Sequence, residues 1–300
     1  FLATLFDKVN IMSTKQKFNK VDGVSKTKNT HGISETFVPK TKTDVHLEEL
    51  DRSGYTILNN IFSNKDCETA SKKIDEIYKK QIKECGTEKY LYSINDQNVV
   101  RALFVYDEFF KKFIINKNIL NILNKIFGDK YILNLQNSPI NRAHESHYGS
   151  TWHRDLSYQH FVPSRPIAIS VLICIDPFTN DNGGTYILPF SHKFEEFSSK
   201  NYQEKKKKIL TANIGDVVIF DSLLFHRAGP NLTDKERKLL VQMYTLPFVK
   251  QQVNFPKMLN GKYSKDKELA YILGYDSEVE ESVLSWRQRR RKRYKNINNK

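Results

Sequence analysis

Cysteine is scarce in this sequence: Cys67, Cys85 and Cys174 are the only three in 300 residues, and no two of them form a CxxC pair. An odd, scattered set excludes a disulfide-stapled scaffold and points to a reducing, cytoplasmic setting. Long apolar runs are missing as well. No stretch approaches the roughly 20 residues needed to cross a bilayer as a helix. The apolar opening FLATLFDKVNIM has neither a basic leader nor a small-residue cleavage site, so it reads as a segment upstream of Met12 rather than a secretory signal. Glycine is sparse, and Gly183 and Gly184 in TNDNGG precede no helical pattern. They suit a tight hairpin turn and not a phosphate cradle. No internal repeat is visible.

What is present suits a folded enzyme-sized body. Hydrophobic residues make up 39% and aromatics 12% of the chain, enough to bury a substantial core. The net charge of +14 suggests a nucleic-acid partner until it is located. Residues 1–45 carry +4 and residues 286–300, WRQRRRKRYKNINNK, carry +8, which leaves only +2 for the body. The charge is in the tails. The basic tail can contact an anionic partner, phosphate or lipid, by sequence-independent attraction; the plainer expectation is a solvated, disordered end.

Residues 1–45, rich in Lys, Thr, Ser and Asn, read as a mobile basic arm. A single domain is expected over 46–285. Its helical part spans 46–130: a short strand near YTILNNIF, then a helix from Ser63 with Ala70, Ile74, Ile77 and Ile82 on one stripe, then one or two helices in 107–130 ending at Gly128. The texture then changes to short β-rich runs separated by turn residues: YILNLQNS, PIAISVLICID, TYILPF, GDVVIFDS and KLLVQMYTLPF. Helices first and strands afterwards, with no βαβ alternation, predict a mainly β protein with flanking helices and a jelly-roll core over 131–250. Residues 193–208 read as a surface insertion and 251–285 as a C-terminal extension.

The chemistry concentrates in TWHRDLSY. On a strand, His153 and Asp155 project from one face, about 6.6 Å apart, close enough to share an ion. The pair alone is weak, since a surface polar pair has the same pattern. His226 follows the β-like run GDVVIFD, and two histidines with one carboxylate form the facial set of non-haem Fe(II) oxygenases, with open positions left on the metal. Arg237, eleven residues after His226, returns alongside if AGPN turns the chain, and a buried guanidinium there suits a carboxylate. The loop 140–151, with His144 and His147, is a candidate substrate lid. Trp152 fits either a pocket wall or the core.

The segments LDRSGYTILNNIF, TWHRD, DNGGTYILPFSHK and above all HRAGPNLTDKERKLL resemble the phytanoyl-CoA dioxygenase family of Fe(II)/2-oxoglutarate-dependent oxygenases, over roughly residues 48–250. The resemblance implies a double-stranded β-helix, a cupin-like jelly roll, behind N-terminal helices. It implies that His153, Asp155 and His226 bind Fe(II), that Arg237 holds the distal carboxylate of the co-substrate 2-oxoglutarate, and that dioxygen and a small-molecule substrate complete the reaction. Family sites also draw polar residues from the strand before the His-x-Asp block; Asn134 and Gln136 alternate so as to share a face, and one of them is expected to bind the co-substrate. Ala228 departs from relatives that place a hydroxyl two residues after the second histidine. Asp155 favours hydroxylation, because halogenating relatives replace this carboxylate with a small residue. The alternatives are a non-catalytic metal- or ligand-binding jelly roll, and an oxygenase acting on a nucleic-acid-linked substrate.

Overall fold

The structure, a computed structural model, describes residues 37–145, 148–156 and 161–298. Most of the expected N-terminal arm, and His147 of the expected lid, lie outside these residues. The chain divides after Val45, and the unit that starts at His46 holds every strand among the described residues.

The N-terminal helices form where their caps and apolar stripes predict. Helix α1 (Lys42–Ser53) leads into strand β1 (Tyr55–Leu58). Helix α2 (Asn64–Glu84) starts at Ser63, whose hydroxyl accepts from the Asp66 amide at 3.1 Å; Ala70, Ile74 and Ile77 are buried and Ile82 is half-buried. After α3 (Glu88–Ser93) and β2 (Val99–Arg101), the 107–130 stretch breaks into a 3-10 turn at 108–110, α5 (Lys111–Ile114) and α6 (Lys117–Phe127), preceded by the single turn α4 (Leu103–Tyr106). The break follows from Asn116, whose side chain accepts the first amides of α6, and α6 stops at Gly128 with φ of 73°.

Six strands form one antiparallel sheet in the order β1-β7-β4-β9-β3-β2, with β3 at Ile132–Asn141, β4 at Ala168–Cys174, β7 at Val217–Asp221 and β9 at Arg237–Thr245. A second antiparallel sheet has β5 (Tyr186–Ile187) between β6 (Lys208–Ile209) and β8 (His226–Arg227). The period-2 alternation of β4 divides the core. Ile169, Val171 and Ile173 join the helices in one cluster, whereas Leu172 and Cys174 join Ile187 and Leu224 in a second cluster between the sheets. The insertion 193–208 carries α7 (Lys200–Lys206); α8 (Phe255–Met258), α9 (Lys267–Ile272) and α10 (Val283–Asn298) complete the chain.

Two expectations are corrected. The described part of the basic tail, 286–298, is helical and not a disordered end: it contains no Gly or Pro, Arg and Lys are good helix formers, Ser282 accepts from the Ser285 amide, and Arg289 pairs with Glu280 at 3.1 Å. The second concerns β3. Leu133 pairs with Tyr244 and Leu135 with Met243, so Asn134 is an extra, bulged residue. The bulge reverses the facing of the residues after it. Asn134 donates to the Lys250 carbonyl at 2.9 Å and accepts from the Gln252 amide at 3.2 Å. Gln136 turns to the helical side, where its Oε1 accepts from the Phe104 amide at 2.8 Å and its Nε2 donates to the Phe110 carbonyl at 3.3 Å. Gln136 therefore lies on the helical side of the sheet, and the unbroken alternation that placed it on one face with Asn134 does not hold across the bulge.

Gln136 caps α4 from the sheet, because the residue at the cap position, Ala102, has no side chain that can do so. Gln136→Leu should cost about 2–4 kcal/mol by leaving that buried amide and carbonyl unpaired. A lower urea midpoint at unchanged slope would show it.

Candidate metal centre

His153 and His226 are 73 positions apart in sequence, and backbone pairing brings them together. Their amides and carbonyls bond reciprocally, His153 N to His226 O at 3.0 Å and His226 N to His153 O at 3.1 Å. Two residues on, the Asp155 amide donates to the Ser222 carbonyl at 3.1 Å. The His-x-Asp segment is thus one isolated bridge along the edge of β8 and not the strand that the alternation suggested. The outcome for the side chains is the expected one: His153, Asp155 and His226 converge, with one ligand atom from each within 4.8 Å of the others.

The ring nitrogens are assigned by their partners. Nδ1 of His153 lies 2.8 Å from the Thr151 carbonyl, and Nδ1 of His226 lies 3.0 Å from the Leu224 carbonyl. A carbonyl only accepts, so both Nδ1 atoms donate, and in each neutral ring Nε2 is left with its lone pair. Both Nε2 atoms face the same carboxylate oxygen, Asp155 Oδ1, at 3.9 and 3.4 Å. Neighbouring ligands on a six-coordinate metal stand about 3 Å apart, so the set would have to draw together to close on an ion.

The electrostatics match. Burial opposes ionisation of Asp155, but His226 and His153 in their protonated forms, with the Ser170 hydroxyl, outweigh it and hold the carboxyl at about 2. Burial, with the neighbouring His226, lowers the pKa of His153, while Asp155 outweighs burial to raise that of His226. His226 is closed off behind, with the Phe220 ring edge-on at 4.8 Å. The His153 side chain keeps 35% of its surface exposed against 9% for His226, so the centre opens past His153. Near His153, Phe197 of the insertion lies tilted between Trp152, at 6.0 Å between ring centroids, and Phe225, at 4.4 Å. Between the two ligands, Arg154 points the other way and donates to the carbonyls of Ser191 and Phe194.

Arg237, the first residue of β9, is 1% exposed. Its Nε donates to the Asn182 carbonyl at 3.2 Å and its Nη2 to the Gly183 carbonyl at 2.8 Å, whereas Nη1 has no hydrogen-bond partner. Burial pushes its pKa down to about 10, which leaves it cationic at neutral pH. Those carbonyls lie in a turn at the expected position, 183–184, but it is no hairpin, since β4 before it and β5 after it belong to different sheets. Gly183 has φ of +83°, and a Cβ there would meet Asn141 Nδ2 at 2.0 Å. Gly184 in turn accepts from the amide of Gly229, three residues beyond His226, at 3.1 Å.

Sequence reasoning missed Asn141, which stands opposite Arg237 across β3 and β9 and keeps a buried Oδ1 without a partner. It also missed Ser170 and Ser222 behind Asp155. His144 forms an exposed pair with Asp234 at 3.4 Å and takes no part in the cluster. The bulge at Asn134 hid the true inward face of β3, and no local signal marks that bulge.

The phytanoyl-CoA dioxygenase family model matches residues 50–239, a span that contains His153, Asp155, His226 and Arg237. An uncharacterized protein of Mycobacterium tuberculosis is 24% identical over 246 residues, which cover 80% of this chain and 89% of that protein. Dioxygenase af480 of Aspergillus fumigatus is 25% identical over 266 residues, 80% of this chain and 84% of that protein. A shorter match, 32% identical over 114 residues, covers 36% of this chain and 38% of the iron/alpha-ketoglutarate-dependent dioxygenase ausO of Aspergillus calidoustus.

The turn that presents its carbonyls to Arg237 has no space for a side chain. Gly183→Ala should lose about 1–3 kcal/mol through left-handed backbone strain and the clash with Asn141, visible as a lower melting temperature.

Proposed function

The chain belongs to the phytanoyl-CoA dioxygenase family, and on that footing we propose an Fe(II)- and 2-oxoglutarate-dependent oxygenase that hydroxylates a small organic substrate. The two facing antiparallel sheets are read as the halves of a double-stranded β-helix. In this reading Fe(II) is held by His153 Nε2, Asp155 Oδ1 and His226 Nε2, and the distal carboxylate of 2-oxoglutarate by Arg237.

One observation carries the reading: a two-imidazole, one-carboxylate cluster shares its framework with a wholly buried guanidinium, seated over the Phe178 ring, whose Nη1 has no partner and which forms no ion pair among the described residues. A buried cation left this way is costly unless an anion joins it. A dicarboxylate co-substrate meets that need, and its planar carboxylate fits the guanidinium fork. The printed names of relatives, a dioxygenase and an iron/alpha-ketoglutarate-dependent dioxygenase, support the same chemistry.

When bound, iron and 2-oxoglutarate supply the activation of dioxygen. The protein's own residues do the rest. The Thr151 and Leu224 carbonyls fix the rings so that both Nε2 lone pairs face inward. Arg237 orients the co-substrate from its far end, and Phe220 together with the apolar cluster between the sheets excludes water from behind His226. Asp155 fills the ligand position that halogenation would need empty, so the outcome is hydroxylation. The aromatic group of Trp152, Phe197 and Phe225 near His153 suits an organic substrate, and a body of near-neutral charge offers no extended phosphate track.

Anaerobic addition of Fe(II) and 2-oxoglutarate to the full chain should give a weak visible charge-transfer band; folded protein without that band sinks the reading. Asp155→Ala should abolish substrate-coupled succinate release while the protein stays folded by circular dichroism. Arg237→Gln should raise the half-saturating 2-oxoglutarate concentration about 100-fold or more, measured by the same band.

A further inference from the structure

The strand that runs behind the centre, β4, is apolar on its inward face except at one position. Ser170 lies between Ala168 and Leu172 on that face, opposite Phe220 of β7 and Met243 of β9, and is wholly buried. A hydroxyl in such a place is unfavourable unless it is bonded. Ser170 is bonded twice: Oγ–H donates to Asp155 Oδ2, and its Oγ lies 2.7 Å from the hydroxyl oxygen of Ser222, which is also wholly buried.

The direction of these bonds is fixed. The ionised Asp155 can only accept, so the Ser170 proton points to Oδ2, and Ser222 must donate to Ser170. Ser222 thus holds Asp155 twice over, by its carbonyl to the Asp155 amide at 3.1 Å and by its hydroxyl through Ser170. Its own amide is tied to the Ala168 carbonyl at 3.2 Å, which anchors the arrangement in the large sheet. The histidine Nε2 atoms both face the other oxygen, Oδ1.

We infer that Ser170 and Ser222 are positioning residues that make Asp155 a one-oxygen ligand, by engaging Oδ2 and turning Oδ1 toward the histidines. The inference rests on the assignment of His153, Asp155 and His226 as a metal centre. Its consequence is a count. A carboxylate that offers both oxygens fills two positions of a six-coordinate ion, whereas one tethered at Oδ2 fills a single position and keeps the protein's share at three. Partners of this kind, one bond behind a ligand, typically alter metal affinity 10- to 100-fold when removed.

Cobalt(II) added to the full-length protein without co-substrate tests this, because its visible d–d bands report both affinity and coordination. Ser170→Ala should bind Co(II) about 10–100-fold more weakly, with shifted bands as the freed carboxylate changes its mode. Ser170→Thr, which keeps the hydroxyl, should bind like the unaltered protein. Ser222→Ala should weaken binding less than Ser170→Ala, and the double variant should be no weaker than Ser170→Ala alone to within about twofold, since both hydroxyls act through one contact. Unchanged affinity and bands in Ser170→Ala overturn the inference, as does a double variant whose loss equals the product of the single losses. Should Ser170→Ala not fold, unchanged affinity in Ser222→Ala overturns it instead. Failure of the unaltered protein to bind Co(II) strikes at the metal centre itself and is told apart by that control.

Discussion

The reciprocal backbone bond between His153 and His226 is the constraint from which the rest of the site derives. Neither residue belongs to a long strand, and their side chains have no direct bond to each other. Two amide–carbonyl pairs bring the rings to 4.3 Å, and the pairing of Asp155 with Ser222 two residues later sets the carboxylate under both. The interaction is main-chain on both sides, so it fixes position without using any side-chain atom needed for chemistry. Each imidazole then spends its Nδ1 on a carbonyl of its own segment, which leaves the ligand geometry decided locally.

Burial supplies the second constraint. The large sheet keeps its aliphatic residues toward the helices on one face and toward the small sheet on the other, and the polar residues on the inward face are few. Two groups of polar residues gather around the centre. Asp155 with Ser170 and Ser222 forms one; Arg237 with Asn141 and the Gly183 turn forms the other. In a low-dielectric interior each group needs a partner, and the partners present satisfy all but particular atoms, such as Nη1 of Arg237 and Oδ1 of Asn141. That unpaired donor and acceptor sit at paired positions of the neighbouring strands β3 and β9.

The sequence made the outline legible because its signals are local. Ser63 and the Ala70, Ile74, Ile77 stripe specify α2 within one segment; β-rich runs bounded by NIGD and AGPN specify β7 and the return into β9. The convergence of His153 and Asp155 with His226 was foreseen from residue type and from the short β-rich runs that lead to His226. The faces of β3 were not readable. A period-2 reading assumes unbroken pleating, and one bulged residue at Asn134 reversed it, sending Gln136 to the helices and Asn141 to the interior. Ser170 gave no hint either: a serine in AISVLIC looks like any small strand residue until Asp155 is found beside it. The tail misled in another way, since charge density predicts solvation, while helix formation depends on backbone propensity and a serine cap.

Arg154 occupies the single position between two ligands, and its guanidinium holds the carbonyls of Ser191 and Phe194 at the base of the insertion that carries Phe197. The side chain works as a lever: its short arm is the peptide that joins His153 to Asp155, and its long arm is the rim segment. A displacement of the Ser191–Phe194 segment is therefore passed to the peptide that joins His153 to Asp155.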